Sequence, residues 1–213
     1  MWLSVLMTLL AGYMLGNLNG AVSMSNLLGK TDVREHGSGN AGLTNFMRMF
    51  GPSSALLVIA IDMLKAVVSC LVGKLLLQPY GYAGEGLMLG ALAVSLGHDF
   101  PALLGFHGGK GVLCGFTIAL VADWRCALVL LTVFAISLWL TRYVSLSSIL
   151  GAQVFSVIYP LLHWDKPFVA VTGVFIGLFI VFMHRSNISR LLKGTEKKAT
   201  FSQFRRKNKS KSS

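Results

Sequence analysis

Ser53-Ser-Ala-Leu-Leu-Val-Ile-Ala-Ile-Asp-Met-Leu-Lys-Ala-Val-Val-Ser-Cys-Leu-Val-Gly-Lys-Leu-Leu-Leu77 decides the fold of this chain. It holds no proline and outruns the ~20 residues needed to cross a bilayer. Asp62 and Lys65 within it stand at i, i+3, so one helix face carries both and they can neutralise each other. Charges inside a membrane are rare and tend to be functional, but here self-pairing is an adequate structural role.

Further apolar runs lie outward from this one, near 3–27, 85–104, 111–122, 126–141, 146–162 and 167–184. With 54% hydrophobic and 13% charged residues, the chain is far from an ordinary soluble domain. The run at 3–27 has no basic start and ends rich in Asn and Ser, so it reads as a retained span, not a cleaved leader. The runs at 111–122 and 126–141 are shorter than ~20 residues. The expected fold is an all-α integral membrane protein with seven transmembrane helices.

The net charge of +11 is uneven, with ten of the 19 Lys and Arg residues after Met183. With the N-terminus outside and the C-terminus inside, Lys30, Arg34, Arg48, Lys110 and Arg142 join those ten on the cytoplasmic side, which is 15 of 19. Residues 1–192 then form the membrane domain, and 193–213 a basic cytoplasmic tail suited to anionic lipid. No nucleic-acid motif accompanies the charge. Cys70, Cys114 and Cys126 are scattered in or beside apolar runs and read as buried thiols.

The same orientation brings three polar, glycine-rich segments to one face: His36–Arg48, Gly97–Gly111 and Thr141–Ser145. Glycine lets backbone N–H groups close on an anion, and Arg or Lys supplies the opposing charge. In the first, Thr44 and Arg48 fall one turn apart if a helix begins near Asn40. In the second, Gly108-Gly109-Lys110-Gly111 is not a Walker loop: three residues separate Gly105 from Gly109, and Gly111 stands where a hydroxyl is required. It remains a lysine at the approach to a helix N-terminus, which suits phosphate. The third places Tyr143, Ser145, Ser147 and Ser148 around Arg142. His184 begins a fourth polar stretch at the cytoplasmic end of the last run.

No histidine has an acid five residues on; those positions are Ala41, Leu103, Val112, Phe168 and Ser189. No Gly-x-Ser-x-Gly elbow occurs either. Metal-pair spacing is lacking, and neither metal nor cofactor is expected. An enzyme so equipped would act on a preactivated donor by positioning and charge stabilisation. A transporter of a phosphate ester is the alternative, weakened because no internal repeat is visible. A lipid-binding scaffold would not need three converging phosphate motifs.

Ser38-Gly-Asn-Ala-Gly-Leu-Thr-Asn45 with Arg48, Gly97-His with Pro101, Gly105-Phe-His-Gly-Gly-Lys-Gly-Val112, Tyr143-Val-Ser-Leu146 and His184-Arg-Ser-Asn-Ile-Ser-Arg-Leu191 resemble the PlsY family. Its members are bacterial membrane acyl-phosphate:glycerol-3-phosphate acyltransferases. The resemblance implies seven spans in the bacterial cytoplasmic (inner) membrane and a cytoplasmic-side site. It also implies acyl phosphate and glycerol 3-phosphate as substrates, with lysophosphatidic acid and phosphate as products. By motif it implies catalytic roles for Ser38, Asn40, Lys110, His184 and Asn187. It implies substrate-binding roles for Thr44, Asn45, Arg48, Gly108, Gly109 and Ser145. Arg48, Lys110 and Ser145 would hold phosphates. Ala41, His107 and Asn17-Leu-Asn19 depart from the family's Pro, Lys and Ser-Ile-Pro-like turn, the last expected to affect helix shape alone.

Overall fold

The computed structural model describes residues 1–29 and 31–199. Lys30 and most of the basic tail therefore lie outside the described residues, including the stretch expected to meet anionic lipid. The described chain forms ten α-helices, α1 (Trp2–Asn17), α2 (Gly20–Gly29), α3 (Leu43–Phe50), α4 (Pro52–Leu77), α5 (Ala83–Asp99), α6 (Val112–Ala122), α7 (Trp124–Thr141), α8 (Val144–Leu162), α9 (Pro167–Met183) and α10 (Arg185–Leu192). No strand occurs among the described residues.

The first apolar run is two helices, because backbone continuity fails at Leu18-Asn19. Asn19 caps α2 by accepting from Val22 N at 3.0 Å and donates to Ala41 O at 3.0 Å. Asn17 accepts from Leu103 N at 3.0 Å. The Asn17-Leu-Asn19 departure therefore does more than shape a helix. It ties the break to the first two polar segments, with Ala41 itself as one of the partners.

Among the described residues five stretches are long and apolar enough to cross a membrane: Trp2–Gly29, Pro52–Tyr80, Ala83–Leu104, Trp124–Thr141 and Val144–Leu162. α9 and α10, bent by 54°, make a sixth if they are one span. The run at 126–141 gains length at its start, because Asp123 accepts from Arg125 N at 3.0 Å and caps α7 at Trp124. α6 stays short, at 11 residues.

Helices α1, α4 and α5 pack backbone to backbone. A Cβ on Gly73 would lie 2.0 Å from Gly86 O, and one on Gly16 2.6 Å from Gly97 Cα. Small residues allow this approach where lipid provides no hydrophobic drive between helices. The second half packs α6 to α9 around Ile118, Phe155, Tyr159 and Ile176. Leu131, Trp139, Leu140, Val171, Phe175 and Phe182 point outward and exposed. An apolar exterior of this kind suits lipid, not water.

Asp62 and Lys65 meet at 2.8 Å, both buried. Lys65 also donates to Leu18 O at 2.7 Å, to Gly16 O at 3.3 Å and to His98 Nδ1 at 2.8 Å. The pair thus holds the α1–α2 break against α4 and α5.

Candidate active site

The first polar segment folds around Asn45. Its Oδ1 accepts from Ser38 N at 3.0 Å, while Nδ2 reaches Val33 O, His36 O and Asn40 O at 2.8, 2.9 and 3.2 Å. Gly37 has φ +66°, and a Cβ there would stand 2.2 Å from Asn45 Oδ1. Asn45 therefore shapes the loop with its whole amide. Ser38, Thr44 and Arg48 are exposed toward the cavity that the loop helps to enclose. Among the described residues Arg48 forms no ion pair.

The second segment turns back on the end of α5. Gly108 N donates to Asp99 O at 3.2 Å and Gly109 N to His98 O at 3.1 Å. A Cβ on Gly108 would stand 2.0 Å from His98 O, and one on Gly109 2.2 Å from His98 Nε2. Both amides are thus occupied, and neither glycine lines the cavity. They are glycine so that Lys110 can be carried to it. Lys110 Nζ donates to Asn187 Oδ1. Burial, then the neighbouring Arg190, pull its ammonium down to about 8, against an upward pull from Glu196.

Glu196 joins the third and fourth segments. Its Oε1 accepts from Ser145 Oγ and Asn187 Nδ2, each at 2.8 Å, and its Oε2 from Arg190 Nε at 2.7 Å. Burial raises its carboxyl, but the bonds from Asn187, Ser145 and Arg190 outweigh that and hold it below the usual range. With Nδ2 taken by Glu196, Asn187 must present Oδ1 to Lys110. His184 Nδ1 lies 2.8 Å from Ile180 O, so that nitrogen carries the proton and Nε2 keeps a lone pair.

A cavity of about 650 Å³ gathers these groups. Ser38, Asn40, Thr44, Asn45, Arg48, Lys110, Ser145, His184 and Asn187 all line it. Asp62, His98, Ser186, Arg190 and Glu196 line it too and were not anticipated as site residues. Arg142, expected at the centre of the third segment, lies outside; its carbonyl accepts from Ala199 N at 2.7 Å. Glu196 falls in the stretch that reads as a basic tail, although it is the one acid after Asp165 in a run otherwise basic. Three cations, Arg48, Lys110 and Arg190, line the cavity together with the apolar Phe116, Leu130, Phe134 and Phe155 of α6, α7 and α8. Such a space fits an amphiphile with an anionic head.

The family model for glycerol-3-phosphate acyltransferases matches residues 6–194. A glycerol-3-phosphate acyltransferase of Thermoanaerobacter pseudethanolicus is 36% identical over 192 residues, covering 90% of this chain and 94% of that one. One from Finegoldia magna is 37% identical over 187 residues, covering 87% and 91%. The fold is similar to crystal structures of PlsY, an integral membrane glycerol 3-phosphate acyltransferase. Its glycerol 3-phosphate form gives a TM-score of 0.86 at 30% identity, covering 96% of this chain and 100% of that one. Its lysophosphatidic acid form gives 0.80 at 32% identity, covering 94% and 98%.

Proposed function

The chain belongs to the glycerol-3-phosphate acyltransferase family, and we propose that its acyl donor is an acyl phosphate and its product lysophosphatidic acid. It is a membrane acyltransferase. The observation that carries the finer reading is the cavity's mixed lining, in which Arg48, Lys110 and Arg190 share one space with Phe116, Leu130, Phe134 and Phe155.

In this reading Arg48, Lys110 and Arg190 divide the two phosphates between them, with Asn187 and Glu196 fixing where Lys110 and Arg190 point. His184 Nε2 accepts a hydrogen bond from the 1-hydroxyl of glycerol 3-phosphate and orients its oxygen. That oxygen bonds to the acyl carbon, the bond between the acyl carbon and the bridging phosphate oxygen breaks, and the hydroxyl proton, released from its hydrogen bond to His184, ends on the departing phosphate. A mixed anhydride needs no stronger base, and fixed cations stabilise the charge that gathers on the leaving group.

Seven spans, N-out and C-in, in the bacterial cytoplasmic membrane complete the proposal, with the basic tail beside anionic lipid. Its support is the pairing of turns. Ser145, Lys110, Asn187 and Glu196 meet at one end, while Asp123 and His163 meet at 3.2 Å between the other turns of α6–α7 and α8–α9.

Purified protein with synthetic acyl phosphate and radiolabelled glycerol 3-phosphate tests the reading, with acyl-CoA and acyl-carrier-protein donors in parallel. Labelled lysophosphatidic acid from acyl phosphate alone is expected. Transfer from acyl-CoA and none from acyl phosphate would refute the donor assignment.

A further inference from the structure

Apolar residues of α6, α7 and α8 line the cavity together, Phe116, Leu130, Phe134 and Phe155 among them, and form its apolar arm. On α8, Ser145, Ser148, Ala152 and Phe155 all line it, at spacings that keep to one helix face. That face leads from the Ser145–Glu196 hydrogen bond to a phenyl ring over roughly 15 Å. The end wall is stiff. Phe155 is buried, its ring lies 4.9 Å from that of Tyr159, and the Tyr159 hydroxyl reaches Met88 Sδ at 3.2 Å.

Gly151 lines the same arm, and it differs from other helical glycines in this half of the protein. A Cβ on Gly115 would meet Ile180 Cδ1 at 2.5 Å, one on Gly173 Tyr159 Cδ1 at 2.3 Å, and one on Gly177 Ala152 O at 2.7 Å. Those three are glycine because a neighbour is in the way. At Gly151 the nearest atom is Leu130 O at 3.8 Å, an ordinary contact. Packing does not require a glycine at 151, and the position faces the cavity.

We propose that Gly151, Ala152 and Phe155 set the acyl-chain selectivity of the enzyme, Gly151 by keeping the arm open and Phe155 by ending it. This rests on the acyl-phosphate reading above. An extended chain advances ~1.3 Å per carbon given C–C bonds near 1.5 Å, so the arm holds on the order of eleven or twelve carbons in a straight run. Carbons beyond Phe155 leave past Leu131, which is half exposed on the lipid side. They pass from one apolar surface to another and add little selectivity.

The test compares kcat/KM for octanoyl, dodecanoyl and palmitoyl phosphate at fixed glycerol 3-phosphate in mixed micelles, each referred to the concentration of donor free in water, obtained from its measured micelle partition. The wild-type protein should gain steeply from octanoyl to dodecanoyl and then level off. A methylene moved from water into the arm changes selectivity about fourfold. Gly151→Leu, blocking two or three of them, should lower the dodecanoyl-to-octanoyl ratio roughly 15- to 60-fold. Phe155→Ala should move the plateau toward palmitoyl. The ratio cancels any general loss of activity, and Ala152→Val gives the same sign if Gly151→Leu does not insert. A ratio within twofold of wild type in both narrowing variants, or a wild-type profile still climbing at palmitoyl, overturns the proposal. Transfer from none of the three donors would instead overturn the acyl-phosphate reading, and the selectivity claim with it.

Discussion

Lys110 provides the sharpest test of the site's electrostatics, because its ammonium is drawn down to about 8 by burial and by Arg190. The sign follows from linkage: the lowered value means that folding disfavours the cation, a cost present below about 8 and relieved as the proton leaves. A phosphate beside Lys110 reverses this, so substrate affinity should fall as pH rises through about 8 in the empty site. Between pH 7 and pH 9 the charged fraction drops from about nine-tenths to about one-tenth, a roughly ninefold alkaline loss in kcat/KM. Glycerol 3-phosphate supplies an acid limb of its own, since a phosphate monoester loses its second proton near pH ~6. In Lys110→Arg the guanidinium keeps its proton past pH ~12. The alkaline limb should then vanish even though a planar fork fits the crowded turn poorly and lowers the absolute rate. The assay is kcat/KM for both substrates from pH 6 to 9.5 in wild type and variant. A wild-type profile flat to pH 9.5, or the same limb in Lys110→Arg, would refute the reasoning.

Arg48→Ala removes a charge-assisted contact of about 1.5–3 kcal/mol, so kcat/KM should fall roughly 10- to 150-fold with normal membrane insertion. Gly108→Ala puts a methyl 2.0 Å from His98 O, so folded yield should collapse, whereas Gly84→Ala, whose nearest neighbour is Val169 Cγ2 at 3.5 Å, should behave as wild type. Asp62→Asn alone strands a buried Lys65 at a cost of about 3–5 kcal/mol. The Asp62→Asn/Lys65→Gln double change should be milder and partly active, and a double variant worse than the single would show that Lys65 acts mainly through the Leu18, Gly16 and His98 bonds. Cysteines introduced at Tyr82 and Lys193 should label from opposite sides of the membrane, and same-side labelling would show that the span count is off by one.

Hydropathy and glycine clustering made the helices and most of the cavity lining legible in the sequence. What they concealed has physical reasons. Asn17 and Asn19 look like a polar helix end, yet they act on Leu103 and Ala41 across the fold, and no local pattern encodes a partner so distant in sequence. Gly108 and Gly109 suggested an anion nest because glycine serves close backbone approach and anion binding alike. Their amides turned out to answer the carbonyls of α5. Glu196 was obscured by composition, since a window rich in Lys and Ser reads as a solvated tail whatever single carboxylate it contains.

The shortness of α6 explains why the second polar segment is built as it is. Eleven residues rise about 16 Å, well under the ~30 Å hydrocarbon core. In the seven-span arrangement proposed above, irregular chain beside α6 must therefore complete the crossing. Irregular backbone at such depth is tolerated only when its polar groups are answered by protein or line a cavity. Several of its backbone groups have such partners, while both carboxylate oxygens of the buried Asp99 find none among the described residues. Gly108 N and Gly109 N reach Asp99 O and His98 O, Arg34 Nη1 reaches Leu104 O and His107 O at 2.7 and 3.1 Å, and Tyr13 Oη reaches Phe100 O at 2.8 Å. The segment carries Lys110, half-buried, to the wall of the cavity. A cation there acts through less water than at a surface, where the same charge would be screened. The burial that lowers the proton affinity of Lys110 also strengthens its attraction for an anion that binds in the cavity.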